Sequence, residues 1–332
     1  MKIAIHTSSP ISSLFLAVVM LTVLHGWGCQ DPHRKKGGKE GPPLETTAIG
    51  EISIGIDVTM EPVFRQLVDA FHVDYREATV HPVYSSEGAL ARAFLADSLR
   101  LMLICRPLSP HELRILAKDQ YRATTTAIAR DAVVVILHPD NPMDSLTMSQ
   151  LGRLVRGEAG RWSDLGGESQ DSIRLVFDAP QSSTVRMVRD KFLAADQKLP
   201  KNAYQAQNQD RVVEYVSHSK NAIGFIGYCQ VSDRDDPKVQ GILSRVKLAR
   251  LDAADTSDAK GYFIQPYQNE IALGRYPLSR PVYAVSREHF TGLGTGFVSY
   301  IAGEIGQRIL LKAGLVPEFM PPRVIALPEI AH

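Results

Sequence analysis

The densest chemistry in the chain lies in Asp178-Ala179-Pro180-Gln181-Ser182-Ser183-Thr184-Val185-Arg186, where three consecutive hydroxyls and a cation stand at what reads as one helix start. A helix cap needs a single hydroxyl, so Ser182, Ser183 and Thr184 exceed that need. Unpaired N–H groups and a partial positive charge make a helix start attractive to anions without any net basicity of the chain. Two further turns carry hydroxyls at equivalent places: Thr59 with Met60 ahead of Glu61-Pro62, and Ser85 with Ser86 ahead of Glu87-Gly88. Each of these either binds an anion or only caps the helix that follows. Arg106 closes the apolar run 101–105, and its guanidinium fork matches the paired oxygens of a phosphate-like group. Its alternative role is a surface salt bridge to Glu112. Asp178 beside the serines is compatible with phosphoryl chemistry, or more plainly with orienting Arg186 or capping the helix.

These turns acquire meaning from the elements that carry them. Alternating and 3.6-residue apolar patterns predict a strand over 51–57, a helix over 61–75, a strand over 78–84, a helix over 87–97 and a strand over 100–105. That βαβαβ order belongs to a parallel sheet with helices on its faces. A second series follows: strand 131–137, a Pro-rich turn over 138–142, a helix capped by Thr147, strand 173–177, helices 183–194 and 210–217, and strand 222–228. Residues 264–285 return through strands and 294–313 form a last helix. The fold class is therefore α/β, with two parallel-sheet lobes joined by crossing strands near 127–135 and 264–272. Lobe 1 takes 50–130 plus 265–328, and lobe 2 takes 131–264. Ligands of such sheets collect beyond the carboxyl ends of the strands, so the hydroxyl-bearing turns should line a cleft between lobes.

Composition bounds the partners. The chain has 332 residues, 44% of them hydrophobic, enough for sizeable cores. Lysine plus arginine number 37 against 36 acidic residues, so no global field draws it to nucleic acid. Ten histidines are present, yet none accompanies a recognisable nucleophile motif, so no catalytic residue is assigned and the chain does not read as an enzyme. Nothing has metal-ligand spacing, and no cofactor motif appears. Cys105 and Cys229 lie in apolar, strand-like stretches and are expected as free buried thiols, with a bridge as the alternative. Residues 1–29 read as a targeting segment: Lys2, an apolar run over 14–24 too short for a membrane span, then Gly26-Trp27-Gly28-Cys29. That ending resembles a bacterial lipobox with Cys29 as the lipidation site, although Gly26 and Trp27 stand where Leu and a small residue are usual. The alternative is an ordinary signal peptide. Residues 30–49 carry the polar DPHRKKGGKEGPP over 31–43 and read as a flexible tether.

The segment DAVVVILHPDNP followed by LTMSQLGRLVRGEAGRWSDLGG, together with NAIGFIGY and GTGFVSYIAGEIGQRILLKAGLVP, resembles the phosphate-binding proteins of ABC importers, and more closely a lipoprotein branch of Bacteroidetes. The resemblance spans about 51–326. It implies a periplasmic binding protein-like fold of type II that captures inorganic phosphate or a similar oxyanion. It further implies a monomer held to the cell envelope by a lipid anchor, handing its ligand to an ABC permease in the inner membrane. By position, the family's first anion-binding turn falls on Val58, Thr59 and Met60, its second on Ser85 and Ser86, and its Ser-Gly-Thr helix start on Ser182, Ser183 and Thr184. Ser183 replaces the glycine. The arginine usual before that motif is missing, with Arg186 inside the helix instead, and the aspartate usual after the third strand gives way to Cys105-Arg106. That aspartate accepts the proton of a protonated phosphate, so its loss implies weaker discrimination against sulfate. The alternatives are a surface lipoprotein that uses the scaffold for sensing or a protein partner, and a phosphoryl-handling enzyme.

Overall fold

A computed structural model describes residues 45–319 apart from 256; the expected signal segment, Cys29 and most of the tether lie outside the described residues. The chain enters through β1 (Gly50–Asp57), whose Ile52, Ile54 and Ile56 are buried, then a 3-10 turn at Val58–Met60 and α1 (Glu61–Asp74). Pro62 sits in the first turn of α1, where its missing N–H costs nothing. β2 (Ala78–Ser85), α2 (Glu87–Leu95) and the fully buried β3 (Leu101–Ile104) complete the expected βαβαβ unit, with β1 parallel to both β2 and β3. Next comes a helix that apolar periodicity did not suggest, α3 (Pro110–Lys118). Only Leu116 of α3 is buried, and the helix is fixed instead by a Ser109/Glu112 capping box.

β4 (Thr124–Leu137) is the axis of the fold. Its first half packs into the core formed by β1, α1 and later helices, through Ile128 and Ala129. From Ala132 to Leu137 every residue belongs to a second core. β5 (Ser145–Leu146), α4 (Met148–Val155), β6 (Arg174–Phe177), α5 (Ser183–Phe192), β7 (Ala203–Gln205), α6 (Gln209–Ser217) and β8 (Ala222–Gly227) build that second lobe. Phe177 and Phe225 stack there at 4.7 Å between ring centroids. Then follow α7 (Pro237–Leu243), β9 (Lys247–Leu248), β10 (Arg250–Asp252), β11 (Phe263–Ile264), α8 (Gln268–Ala272) and β12 (Ser279–Ser286). α9 (Leu293–Ala302), α10 (Glu304–Lys312) and β13 (Val316–Pro317) return to the first lobe.

The main sheet runs β2-β1-β3-β12-β4-β8-β6-β7. Its wings β2-β1-β3 and β8-β6-β7 are parallel, while β12 and β4 join them antiparallel to each other and to the inner strand of each wing. The first crossing strand lies where the pattern put it. The second does not: 264–272 is the end of β11 and the short α8, and the returning crossover is β12, paired along β4 from Ala132 to Thr124. The final helix also divides, at Gly303, into α9 and α10. At Gly306, a residue with a Cβ would meet the Tyr300 carbonyl at 2.4 Å, so the two helices can pack only with glycine there.

Candidate functional site

Where the crossing strands pass from one core to the other, Arg280 of β12 stands directly opposite Asp131 of β4 in register. Both side chains are buried, 2% and 0% exposed, and Arg280 donates to Asp131 Oδ2 through Nε at 3.0 Å and Nη2 at 2.7 Å. The rest of the guanidinium faces the strand-end turns: Nη2 donates to Thr59 Oγ1 at 3.0 Å, and Nη1 to Ser183 Oγ at 2.8 Å. The two hydroxyls are themselves 3.2 Å apart. One comes from the end of β1 and the other from the start of α5, so the two lobes meet at this guanidinium. The approach depends on Gly227 at the end of β8, where a Cβ would lie 3.2 Å from Arg280 Nη2 and 3.3 Å from the Thr59 carbonyl. That carbonyl accepts from the Cys229 thiol at 2.8 Å and from Gln230 Nε2 at 3.1 Å, two further contacts that hold the turn after β1 against the turn after β8.

The hydroxyls divide into caps and free groups. Ser182 is the N-cap of α5, accepting from Val185 N at 3.1 Å and donating to Asp178 Oδ1 at 2.5 Å. Thr184 Oγ1 accepts from Gln209 Nε2 at 3.5 Å, and the same amide donates to Asp178 Oδ2 at 3.2 Å. Asp178 therefore steadies the loop and α6, and it does not orient Arg186. Thr59 does not cap α1 with its side chain, because Met60 is the N-cap and the hydroxyl turns to Ser183 and Arg280. Met60 is buried and its sulfur accepts from the Cys105 thiol at 3.7 Å. Ser85 and Ser86 are half-buried, and the Ser86 side chain makes no capping bond although the residue starts α2.

Arg106 is held elsewhere. Its Nη1 and Nη2 make a bidentate pair with Glu112 at 2.6 and 2.7 Å, and its Nε reaches Glu87 Oε1 at 3.2 Å. The salt-bridge alternative to Glu112 is what the structure adopts, while the hydroxyl pair is served by Arg280. Arg186 also points to Glu87, with Nε on Oε1 at 2.5 Å, and its Nη2 donates to the Cys105 carbonyl at 3.0 Å.

Four buried carboxylates surround the hydroxyls: Asp57, Glu87, Asp131 and Asp178. Burial pushes Asp178 up to about 6 against the hydrogen bonds from Ser182 and Gln209. Burial likewise raises Asp57, with Arg280 opposing and Glu87 adding to the rise. Asp57 Oδ1 accepts from Thr59 N at 2.9 Å, whereas its buried Oδ2 has no partner. Asp57, Glu87 and Cys105 offer ligand atoms within 4.8 Å of one another, the spacing of a metal site. The donor set does not suit a cation: both Glu87 oxygens already accept N–H bonds, and the Arg106 and Arg186 guanidinium groups stand on the same carboxylate. Cys105 and Cys229 are both free and buried, as expected.

The residues that sequence reasoning missed are Arg280, Asp131, Asp57 and Glu87. Two of them had a signal. Asp131 is an acid opening the apolar strand DAVVVIL, and Arg280 is a lone cation in SRPVYAV; a charge inside such a strand must be paired or exposed.

A mixed sheet with two parallel wings, two crossing strands and hydroxyl-bearing helix starts meeting between the lobes defines a two-lobed solute-binding fold. The chain belongs to the PBP superfamily, whose domain model matches residues 41–304. It is 26% identical over 255 residues to the phosphate-binding protein PstS of Staphylococcus epidermidis, covering 76% of this chain and 72% of that one. The PstS of Pseudomonas aeruginosa is 26% identical over 224 residues, 62% of this chain and 63% of that protein. Among solved structures, a putative phosphate ABC transporter substrate-binding protein of Clostridium perfringens superposes with a TM-score of 0.67 at 22% identity, covering 81% of this chain and 99% of the other. A phosphate transport receptor of Vibrio cholerae gives 0.62 at 19% identity, covering 81% and 100%. At those identities the two structures speak for the fold.

Proposed function

We propose that the chain is an extracytoplasmic binding protein that captures inorganic phosphate, or a closely similar oxyanion, between its lobes for an ABC importer. The observation that carries this reading is the convergence of Thr59 Oγ1 and Ser183 Oγ, one from each lobe, on the Arg280 guanidinium at 3.0 and 2.8 Å. Two hydroxyls and a guanidinium at strand ends form a donor set for a tetrahedral oxyanion, and relatives named for phosphate binding support it. The two lobes would hinge about β4 and β12 as the ligand enters, with the second lobe running on past 264 to Leu278, because Ile271, Tyr276 and Leu278 pack in its core. In this reading Cys29 carries the lipid anchor, the protein acts as a monomer without catalysis, and a membrane permease receives the ligand. Among the described residues no helix is long and apolar enough to cross a membrane.

The unpartnered Asp57 Oδ2 bears on which anion fits. While Asp57 is ionised, its carboxylate oxygen without a donor favours a ligand that brings a proton and penalises one that cannot, and the upward push of burial on Asp57 works against this as pH falls. In this reading the carboxylate that the resemblance expected after β3 is supplied at the end of β1, which would reverse the expectation of weak sulfate discrimination. Calorimetry on the purified protein at pH 7 should give phosphate at least tenfold tighter than sulfate, and Asp57→Asn should narrow the gap. Equal affinities in the parent protein would sink this part of the reading. The sensing alternative draws support from Arg280, whose Nε, Nη1 and Nη2 are all engaged by protein groups. An unchanged melting temperature in saturating phosphate would favour it over import.

A further inference from the structure

Four N–H donors converge on the carboxylate of Glu87, the first residue of α2. Cys105 N donates at 3.1 Å, Arg106 Nε at 3.2 Å, and Arg186 through Nε at 2.5 Å and Nη2 at 3.4 Å. The first two donors belong to the loop after β3 in one lobe, the others to α5 in the opposite lobe. Glu87 is 2% exposed, and its carboxylate lies within 4.8 Å of the Asp57 carboxylate at the edge of the hydroxyl centre. A planar two-oxygen anion at a helix start, bonded to one backbone amide and two guanidinium groups, receives what an external oxyanion would receive.

We infer that Glu87 is a built-in anion: it ties the two lobes together and competes with the external oxyanion for the Cys105 amide and Arg186. This rests on the oxyanion-binding reading above. The neighbouring contacts join the same two segments, since Gly88 N donates to the Gln181 carbonyl at 3.1 Å and Arg92 Nη1 to Gln181 Oε1 at 2.6 Å. Arg186 would keep its position when released, because its Nη1 is held independently by Asp190 at 3.0 Å. Glu87 is also poorly placed to remain when a second anion arrives, being already close to Asp57 in a site without solvent screening. Affinity for the external anion is then reduced by the fraction of molecules in which Glu87 holds the arginine.

The test is Glu87→Gln, which keeps the side-chain shape and removes the charge. Two quantities are read on exhaustively dialysed full chain: the radius of gyration by small-angle scattering without added anion, and the Kd for inorganic phosphate by calorimetry. The expected result is a larger radius of gyration and a Kd at least fivefold lower than in the parent. Phosphate binding in the parent with an unchanged or weaker Kd in Glu87→Gln overturns the inference and leaves the oxyanion reading standing. Absence of phosphate binding in both proteins overturns the two together. Should Glu87→Gln fail to fold, Arg186→Met decides, because that side chain is 27% exposed and tolerates truncation. It should open the dialysed protein in the same way but raise the Kd at least tenfold, and an unchanged Kd there refutes the competition.

Discussion

Two arginine–carboxylate knots built on different principles join segments from the two cores. Arg280 and Asp131 sit opposite each other on neighbouring strands, 2% and 0% exposed, and their relative position is set by the ladder between β12 and β4. Glu87, Arg106 and Arg186 come from two helix starts and a loop, and the arginines are 20% and 27% exposed. The strand pair cannot separate without unzipping the sheet, whereas the helix-start knot would separate if the lobes rotated as proposed. In the proposed reading, one knot is a fixed part of the binding floor and the other a fastening between the lobes. The energetics run in the same direction, since Arg280 and Asp131 strand a buried charge when either is lost, whereas the buried Glu87 keeps a second arginine and the Cys105 amide when one arginine is lost.

The largest effect should come from breaking the fixed knot. Asp131→Ala leaves Arg280 buried without its carboxylate and removes the acceptor of Cys229 N, so a loss of about 3–5 kcal/mol in denaturant unfolding is expected. Arg186→Met should cost less by the same measurement, because the buried Glu87 carboxylate keeps the Cys105 amide and Arg106 Nε. Similar losses for the two would erase the distinction between floor and fastening.

How far the sequence disclosed this arrangement follows from what each kind of signal reports. Apolar periodicity found β1, α1, β2 and α5, because each buries a regular face, and the hydroxyl turns were visible because helix starts have a compositional signature. α3 was missed because its definition lies in the Ser109/Glu112 cap rather than in an apolar stripe. The pattern puts strands over 264–285 but the crossing at 264–272, because the alternating burial of β12 marks a strand without saying that it pairs with β3 and β4. The arginine of the site went to Arg106 for a related reason. Position after a strand is a local property, whereas the pairing of Arg280 with Asp131 joins residues 149 apart in sequence and exists only once the lobes are assembled.

A smaller effect distinguishes Asp178 from the carboxylates held by arginine. Its pKa is raised from 3.8 to about 6 by burial, so the folded state binds its proton more tightly than the unfolded chain does. The stability this proton contributes is full below pH 4 and is lost as pH rises through about 6, a change of at most roughly 3 kcal/mol. Stability measured from pH 4 to pH 8 should fall accordingly, and Asp178→Asn should flatten the slope while losing part of the bond to Gln209. An identical slope in the variant would show that Asp178 is ionised in the fold and would place it with the arginine-paired acids.

The smallest effect is expected at Arg106, where position after β3 alone pointed to a large one. Removing its side chain strips Glu112 of a bidentate partner but leaves the Ser109 amide on that carboxylate, so Arg106→Ala should cost about 1 kcal/mol in stability. Its influence on the anion runs in two directions. Loss of Nε removes one donor that a phosphate displacing Glu87 could use, and the same loss loosens Glu87 and eases that displacement. The two opposed changes should leave the phosphate Kd within about threefold of the parent, against a rise of thirtyfold or more for Arg280→Met, which takes two donors from the hydroxyl centre. Calorimetry on the two variants side by side reads the ratio directly. If Arg106→Ala proves the more damaging, the anion sits over the end of β3 and the fastening, not the floor, is where it binds.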